Sequence, residues 1–316
     1  MLTPEIPDLL AVADRYLAHS PFDPFRHYPA LPADPPLWQG YWRQRLMQLA
    51  TDPHVHFLTH DAVILAVRDS SWDRSHFGFG MATIQVLLAA DVPDLQQQLA
   101  VLLLEARALL HDKQVRFVST RVNGDQLPVL HALEDAGFRY MDNVIWPVAT
   151  TVDLPDDPDP RVRVMNARDL PRVVELAQRW AYPRGHLYCN TGFAKRDVDS
   201  MYGRWLETAW QNQTPLAVIE EEGHVQGFFQ FSVEPEGQTP LGYRYGHMRL
   251  LVLNGEMRGR GMGHALFHGA MVLMKRMGAS HIDSGYSTKN HVSARVHARN
   301  GFASAHEEVT LHLWLG

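Results

Sequence analysis

The stretch Arg258-Gly259-Arg260-Gly261-Met262-Gly263 decides the fold. It follows an apolar run typical of a strand, Met248 to Leu253, and precedes a helical pattern, His264 to Met277. A glycine-rich turn between a strand and a helix exposes backbone N–H groups at the positive end of the helix dipole, and this arrangement binds phosphate. Arg258 adds a charge that suits bidentate phosphate contact. Taken alone, the stretch also fits a plain tight connection between a strand and a helix, because a glycine-rich turn is a weak signal.

A second motif follows on a predicted helix, residues 290–299. Asn290, Ser293 and His297 lie on this helix, and Gly301-Phe302 closes it. Together the two motifs resemble the signatures of the GCN5-related N-acetyltransferase (GNAT) superfamily. The resemblance implies an α/β fold with a mixed sheet, of the acyl-CoA N-acyltransferase kind. It also implies acetyl-CoA as cosubstrate, no metal, and transfer of the acetyl group to a primary amine of a small molecule.

The resemblance further implies which residues bind the coenzyme. The pyrophosphate is expected at the loop and the start of the next helix, at Arg258, Gly259, Arg260, Gly261, Met262, Gly263 and His264. The preceding strand is expected to contact the pantetheine arm and the thioester carbonyl through backbone N–H groups near Leu251, Val252 and Leu253. Asn290 is expected to contact the pantetheine, with Ser293 beside it; alternatively, either residue only caps its helix.

Two histidines are the candidate catalytic residues. His247 lies eleven residues before Arg258, where the histone-acetyltransferase branch of the family has its catalytic glutamate. A histidine with a pKa of ~6.5 suits a general base, although His247 also fits a substrate contact or a structural role. His297 stands where the family usually has a tyrosine that protonates the coenzyme A thiolate. An imidazolium can donate that proton; the alternative is a histidine that only faces the cleft.

The domain organisation is indicated by a run of four aspartates and three prolines at residues 153–160. Such a run cannot continue a helix or a central strand. We therefore predict a linker at 153–160 between tandem domains 1–152 and 161–316. Leu133 to Phe138 repeats the helix end at His297 to Phe302, which supports a duplication. Ala89 to Leu95, after the third predicted strand, contains no glycine but two aspartates. The first domain is therefore predicted to be a degenerate GNAT domain without a coenzyme A loop.

A closer resemblance concerns the acceptor. Trp72-Asp73, Phe77-Gly78, Arg121 to Pro147 and Tyr188 to Trp210 are similar to the dTDP-fucosamine acetyltransferases, which implies an amino sugar nucleotide as acceptor. Six aromatic residues precede the second predicted strand of the C-terminal domain. They form either a wall of the acceptor pocket or ordinary core: Tyr182, Tyr188, Phe193, Tyr202, Trp205 and Trp210. A mycothiol-type precursor, an antibiotic or a protein N-terminus remain alternative acceptors. A non-catalytic acetyl-CoA sensor or interaction protein is the alternative function.

The composition disfavours several classes of binding partner. The 316 residues carry a net charge of −6 without a Lys/Arg-rich run, which disfavours nucleic acid as a partner. The longest apolar stretches are too short to cross a bilayer, and no basic-then-apolar leader opens the chain, so no membrane partner is expected. With a single cysteine, the chain is predicted to be cytoplasmic. His264 and His268 lack a third ligand for a metal. The oligomeric state is left open.

Overall fold

The computed structural model describes residues 10, 11, 14, 35–89, 92–234 and 243–316. They form two compact units. Unit 1 contains the described residues up to Asn143 together with Glu307–Gly316, and unit 2 contains the described residues of Val144–His306. No helix in the described ranges is long and apolar enough to cross a membrane.

The elements of the first part of the chain are α1 (Pro35–Ala50), β1 (Val55–His60), β2 (Val63–Asp69), α2 (Ser71–Phe77), β3 (Gly80–Ala89), α3 (Leu95–Asp112), β4 (Val115–Asn123), α4 (Leu127–Asp135) and β5 (Arg139–Thr150). The elements that follow are β6 (Val162–Val164), α5 (Leu170–Trp180), α6 (His186–Cys189), α7 (Lys195–Gln211), β7 (Leu216–Glu221), β8 (His224–Val233), β9 (Tyr245–Leu253), α8 (Met262–Arg276), β10 (His281–Ser284), β11 (Tyr286–Ser287), α9 (His291–Arg299) and β12 (Ala303–Trp314).

Unit 1 has the strand order β1-β2-β3-β4-β12, where β12 contributes its residues from Glu307 onward. β3 and β4 are parallel, and the other neighbours are antiparallel. Successive residues of β2 point to opposite faces, as a strand requires. Val63 and Leu65 pack in the cluster that contains α3, and Ile64 packs in the cluster that contains α1. Both faces of this sheet are therefore covered by helices.

Unit 2 has the strand order β5-β10-β9-β8-β7-β6, with β5 contributing its residues from Val144 onward. β9 and β10 are parallel, and the other neighbours are antiparallel. Ala217 and Ile219 of β7 pack in the cluster of α8, whereas Leu216 and Val218 pack in the cluster of α5 and α7. This sheet also has helices on both faces.

Both units contain the same succession of a strand, a helix, a parallel strand and a second helix. These elements are β3-α3-β4-α4 in unit 1 and β9-α8-β10-α9 in unit 2. Each second helix ends in the same way. Gly137 and Gly301 are left-handed, with φ of 92° and 78°, and the N–H groups of Phe138 and Phe302 donate to Leu133 and His297. The predicted glycine C-caps at these two helix ends are therefore confirmed.

The two units divide the chain differently from the predicted domains 1–152 and 161–316. Residues 307–316 lie in unit 1 because β12 pairs with β4, and Leu311 and Leu313 fill the core beside α3. Residues 153–160 have no helix or strand, but they lie within unit 2. There Asp156 and Asp157 form ion pairs with Lys275 and Arg276 in the last turn of α8.

Candidate active site

The glycine loop before α8 has the backbone conformation that only glycine adopts readily. Gly259 and Gly261 have φ of 80° and 76°, and no atom lies within 4 Å of the position that a Cβ would occupy at either residue. Gly261 directly precedes α8. Within the described ranges, the backbone N–H groups of residues 259–263 have no hydrogen-bond acceptor. The loop thus presents free donors at the positive end of a 15-residue helix.

Positively charged side chains flank this loop. The Arg258 guanidinium lies over the Trp180 ring, 5.9 Å from its centre. Trp180 fits there because Gly255 has no side chain: a Cβ at that residue would lie 2.2 Å from the ring. The Arg260 side chain is 62% exposed, and its Nη1 lies 3.7 Å from a Glu221 oxygen. Both guanidinium groups therefore stand beside the free N–H groups without being buried.

The first turn of α8 contains the remaining residues of the predicted loop site. Met262 is fully buried, so its side chain is not available to a ligand. The nearest atom to a Cβ at Gly263 would be Leu253 Cδ2, at 3.8 Å. His264 Nδ1 lies 3.2 Å from Asn300 Nδ2. Since Asn300 Nδ2 can only donate, His264 Nδ1 is an acceptor and its Nε2 carries the proton.

Strand β9 leads into the loop with one edge free. β8 pairs with β9 as far as Leu253, with a bulge at Arg249. On the other side, β10 pairs with β9 only as far as Met248. Leu251, Val252 and Leu253 therefore have one edge without a partner strand among the described residues. A bulge and a divergence of strands commonly re-aim backbone groups beside an active site.

Asn290 caps α9. Its Oδ1 accepts the backbone N–H of Ser293 at 3.1 Å, so the helix-cap alternative holds for this residue. The side-chain amide nitrogen of Asn290 is left for another acceptor. The Ser293 hydroxyl lies 3.3 Å from His297 Nδ1.

His297 lies in the core rather than at an open surface, with 3% of the residue exposed. Its ring packs against Phe267, Tyr286 and Phe302 at centre-to-centre distances of 4.8, 4.7 and 5.2 Å. Nδ1 lies 2.8 Å from the Ser293 carbonyl. A carbonyl only accepts, so Nδ1 carries the proton and Nε2 carries a lone pair.

Burial lowers the pKa of His297 to about 4, although the bond to the Ser293 carbonyl acts in the opposite direction. The ring is thus neutral near pH 7, and Nε2 is buried without a hydrogen-bond partner among the described residues. The expected imidazolium that protonates a thiolate does not fit this environment. The position of this histidine on the helix was predicted from the sequence, but its burial was not.

His247 lies in a row of ionisable side chains across three strands. Its Nδ1 is 2.8 Å from Asp283 Oδ2 on β10, and its Nε2 is 3.0 Å from Glu234 Oε1 at the end of β8. The register explains the row, because His247 is paired with Asp283 and Glu234 bonds to the backbone of Tyr245. Glu234 and Asp283 were not among the residues that the sequence indicated.

The two carboxylates fix the protonation state of His247. Burial acts to lower the pKa of His247, but the hydrogen bonds to Asp283 and Glu234 outweigh it and raise the pKa to about 9. The ring is therefore an imidazolium near pH 7, with both nitrogens occupied. The expected role of neutral His247 as general base does not fit this geometry. Glu234 Oε2 and Asp283 Oδ1 are buried and have no hydrogen-bond partner among the described residues.

The predicted aromatic acceptor wall is partly assembled. Tyr188 and Tyr202 stack with ring centres 6.0 Å apart, and Trp205 lies 6.1 Å from Tyr202. The Tyr188 hydroxyl donates to Asp199 at 2.7 Å. Tyr202 and Trp210 both pack against the core of α5 and α7. Tyr188, Tyr202 and Trp205 thus form one group of rings, of which Tyr202 also belongs to the core packing.

The histidine pair on α8 forms no metal site in the described part of the chain. The rings of His264 and His268 are 6.1 Å apart, and no group of three His, Cys, Asp or Glu side chains is placed to hold an ion there.

Comparison with known proteins supports the GNAT resemblance. Residues 178–302 match the acetyltransferase (GNAT) family model, a segment that contains the glycine loop, β9 and α9. No curated protein gives a significant match to the chain.

Solved structures show the fold. A GCN5-related N-acetyltransferase from Sphaerobacter thermophilus is 16% identical, with a TM-score of 0.56 over 79% of this chain and 76% of that one. A tandem GNAT protein from the clavulanic acid biosynthesis pathway is 15% identical, with a TM-score of 0.55 over 98% and 95%. A GCN5-related glucosamine N-acetyltransferase region of a fungal multi-domain GH3 beta-N-acetylglucosaminidase is 14% identical, with a TM-score of 0.62 over 98% of this chain and 37% of that one.

These likenesses confirm the expected fold class, a mixed α/β fold of the GNAT type, and they include a tandem GNAT protein. The match of residues 178–302 to the acetyltransferase (GNAT) family model supports acetyl transfer as the activity. The similarity to dTDP-fucosamine acetyltransferases and the degenerate character of the first domain stay predictions.

Proposed function

We propose that unit 2 binds acetyl-CoA and catalyses transfer of the acetyl group to a primary amine of a small molecule. The observation that carries this proposal is the left-handed pair Gly259 and Gly261, which leaves N–H groups free at the start of α8. The free edge of β9 leads directly into this loop. A phosphate group at the start of α8 is favoured by the free donors and by the helix dipole together.

The residues present fit the coenzyme. The N–H groups of residues 259–263 would hold the pyrophosphate, and Arg258 and Arg260 would add charge-assisted hydrogen bonds. The free edge of β9 at Leu251–Leu253 would hold the pantetheine arm, and Asn290 would offer it the amide nitrogen that the helix cap leaves unused. When bound, the coenzyme supplies an activated acetyl group as a thioester. Positioning of two reactants in this way contributes up to about 7–11 kcal/mol of the barrier.

The Glu234–His247–Asp283 row is proposed to bind the acceptor amine and remove its proton. The acceptor arrives as an ammonium ion and must become neutral before it attacks. The free oxygens Glu234 Oε2 and Asp283 Oδ1 are the available proton acceptors, and the row carries a net negative charge that attracts the ammonium. Imidazolium His247 donates a hydrogen bond to each carboxyl group and holds both in place. It is therefore a positioning residue in this proposal.

His297 is proposed to orient the coenzyme arm instead of donating a proton. Its Nε2 lone pair is buried and accepts a hydrogen bond from a ligand N–H or S–H. The ring is held by Phe267 and Phe302, so its orientation is fixed before the ligand binds. The same position thus has a binding role here that does not need a tyrosine.

The acceptor is proposed to be an amino sugar nucleotide. The support is the group Tyr188, Tyr202 and Trp205, whose ring faces suit stacking on a base or a sugar. The glucosamine N-acetyltransferase region named above is similar in fold alone, so it adds no weight to this choice.

The test is a coenzyme A release assay over a panel of amines, with calorimetry of acetyl-CoA binding on the same preparation. The panel contains dTDP-amino sugars, glucosamine, polyamines, an aminoglycoside and peptides with a free N-terminus. We expect acetyl-CoA to bind and a dTDP-amino sugar to give the highest kcat/KM. Binding without release of coenzyme A by any amine would favour the acetyl-CoA sensor and contradict the enzyme. Release with peptides alone would contradict the sugar assignment.

A further inference from the structure

We propose that a cavity in unit 1 binds a medium-chain aliphatic carboxylate, with the chain in the apolar interior and the carboxylate at Arg107. The cavity has a volume of about 410 Å³, and all its lining residues belong to unit 1. This volume lies within the range of small-molecule pockets. The proposed acetyl transfer in unit 2 uses none of these residues.

The cavity lies between α3, α4 and the sheet. Ten of its thirteen lining residues are apolar, so it suits a hydrocarbon. Leu103 and Leu110 on α3, Ala132 on α4 and Ile84 on β3 form the interior. Leu104, which also lines the cavity, is 69% exposed. An apolar surface of this kind in contact with water is unfavourable, and a bound chain would cover it.

Small side chains line this cavity, whereas a large ring lies between helices α8 and α9 of unit 2. Phe267 stands six residues after Gly261, the residue that precedes α8. Its ring packs on His297 and Phe302 at 4.8 and 5.5 Å and fills the space between α8 and α9. The cavity is lined by the small side chains of Ala100 and Ala106 on α3. Ala100 is exposed, unlike the buried Phe267, so a larger side chain at residue 100 would occupy the mouth of the cavity.

Arg107 indicates the charge of the ligand. Within the described ranges its guanidinium makes no ion pair or hydrogen bond. Asp135, the other charged lining residue, forms no ion pair with it there. Gln96 is occupied in part, since its Nε2 donates to the Pro128 carbonyl at 3.0 Å. An unpaired guanidinium matches the fork of a carboxylate, and Asp135 disfavours a second negative charge.

The volume of the cavity limits the length of the aliphatic chain that it can hold. At about 30 Å³ for each group the size of a water or methylene, the cavity holds about thirteen groups. A chain of about ten carbons with its carboxylate fits this space.

The test is displacement of a fluorescent apolar dye from the full-length protein by decanoate, decylamine and 1-decanol. We expect decanoate to bind at least tenfold more tightly than decanol. Arg107→Gln should reduce the affinity for decanoate to that for decanol and leave decanol unchanged. Ala100→Phe should abolish binding of both. Val101→Phe, an added ring on the same helix outside the lining, is the matched control and should bind like the wild type. Circular dichroism checks the fold of each variant.

Several results would overturn the proposal. They are tighter binding of decylamine than of decanoate, equal binding of decanoate by wild type and Ala100→Phe, and no binding at all. Self-association of the chain that Ala100→Phe abolishes, without binding of decanoate, would assign the cavity to a second copy instead.

Discussion

The helices α3 and α8 both follow the first strand of a parallel pair, yet they begin differently. Gly261 precedes α8 with φ of 76°, whereas Asp94 precedes α3 with φ of −101°. Residues 90 and 91, part of the stretch predicted to lack a coenzyme loop, lie outside the described residues. A strand–helix connection thus becomes an anion site through the conformation and charge of the residues at the helix start. An aspartate at this point repels a phosphate, and a left-handed glycine admits it.

The side chains on the parallel strand pairs of the two units also differ. In unit 1, Thr83 is paired with Ser119, and the Thr83 hydroxyl lies 3.2 Å from that of Ser70. In unit 2, His247 is paired with Asp283. The pair named for unit 1 thus consists of hydroxyl groups, whereas the pair of unit 2 consists of a histidine hydrogen-bonded to a carboxyl group. The proposed chemistry therefore belongs to unit 2.

The strongest test of this difference is removal of a carboxylate. Glu234→Gln should reduce kcat about 10²–10⁴-fold, the usual share of general acid–base catalysis. Ser119→Ala, in the parallel strand pair of unit 1, should leave kcat unchanged. Steady-state kinetics with saturating acetyl-CoA measures both. If Glu234→Gln retains more than a tenth of the rate, proton removal does not depend on this carboxylate.

The loop is tested by a pair of glycine substitutions. Gly261→Val should weaken acetyl-CoA binding at least about 100-fold, since the left-handed conformation that aims the N–H groups costs a side chain about 1–2 kcal/mol and a valine more. Gly78 is the matched control, because it has φ of 78° and also has open space around a Cβ. Gly78→Val should lose similar stability and keep the affinity. Equal affinities in the two variants would contradict the assignment of the loop.

His247 and His297 of unit 2 are expected to make opposite contributions to the pH dependence of stability. The pKa of His247 is raised to about 9. Its stabilisation is therefore complete below its ordinary value of 6.5 and is lost as pH rises through about 9. The pKa of His297 is lowered to about 4, so its stabilisation is present above 6.5 and is lost as pH falls towards 4. Each contribution is about 1–3 kcal/mol.

Urea unfolding of His247→Gln and His297→Phe between pH 4 and pH 10 checks this expectation. His247→Gln should flatten the alkaline side of the stability curve, and His297→Phe should flatten the acid side in part. Part of the acid dependence of stability should remain in His297→Phe, because His312 of unit 1 is also buried and its pKa is also lowered to about 4. Identical curves for wild type and both variants would show that neither ring has the environment described above.

Local sequence predicted the loop, the strand before it and the helix after it, because each depends on a short pattern. The strand expected at Met248 to Leu253 lies within β9, which begins at Tyr245, and the helix expected at 290–299 is α9 with Asn290 as its cap. The carboxylates of Glu234 and Asp283 were not predicted. They reach His247 through the register of three strands, at separations of 13 and 36 residues.

The pairing of β12 and the protonation state of His297 were also not predicted. Nothing in residues 303–314 indicates that β12 pairs with β4, because its alternating pattern fits the edge of either sheet. The charge state of His297 depends on the rings of Phe267 and Phe302, which the fold brings together. Long-range pairing and burial are thus the information that local patterns lack.

The most direct test of the central claim is the number of coenzyme sites. Calorimetric titration of the full-length chain with acetyl-CoA should give one site per chain, because only α8, of the two helices compared, begins at a left-handed glycine. Two equivalent sites per chain would mean that the start of α3 also binds the coenzyme, and would contradict the account.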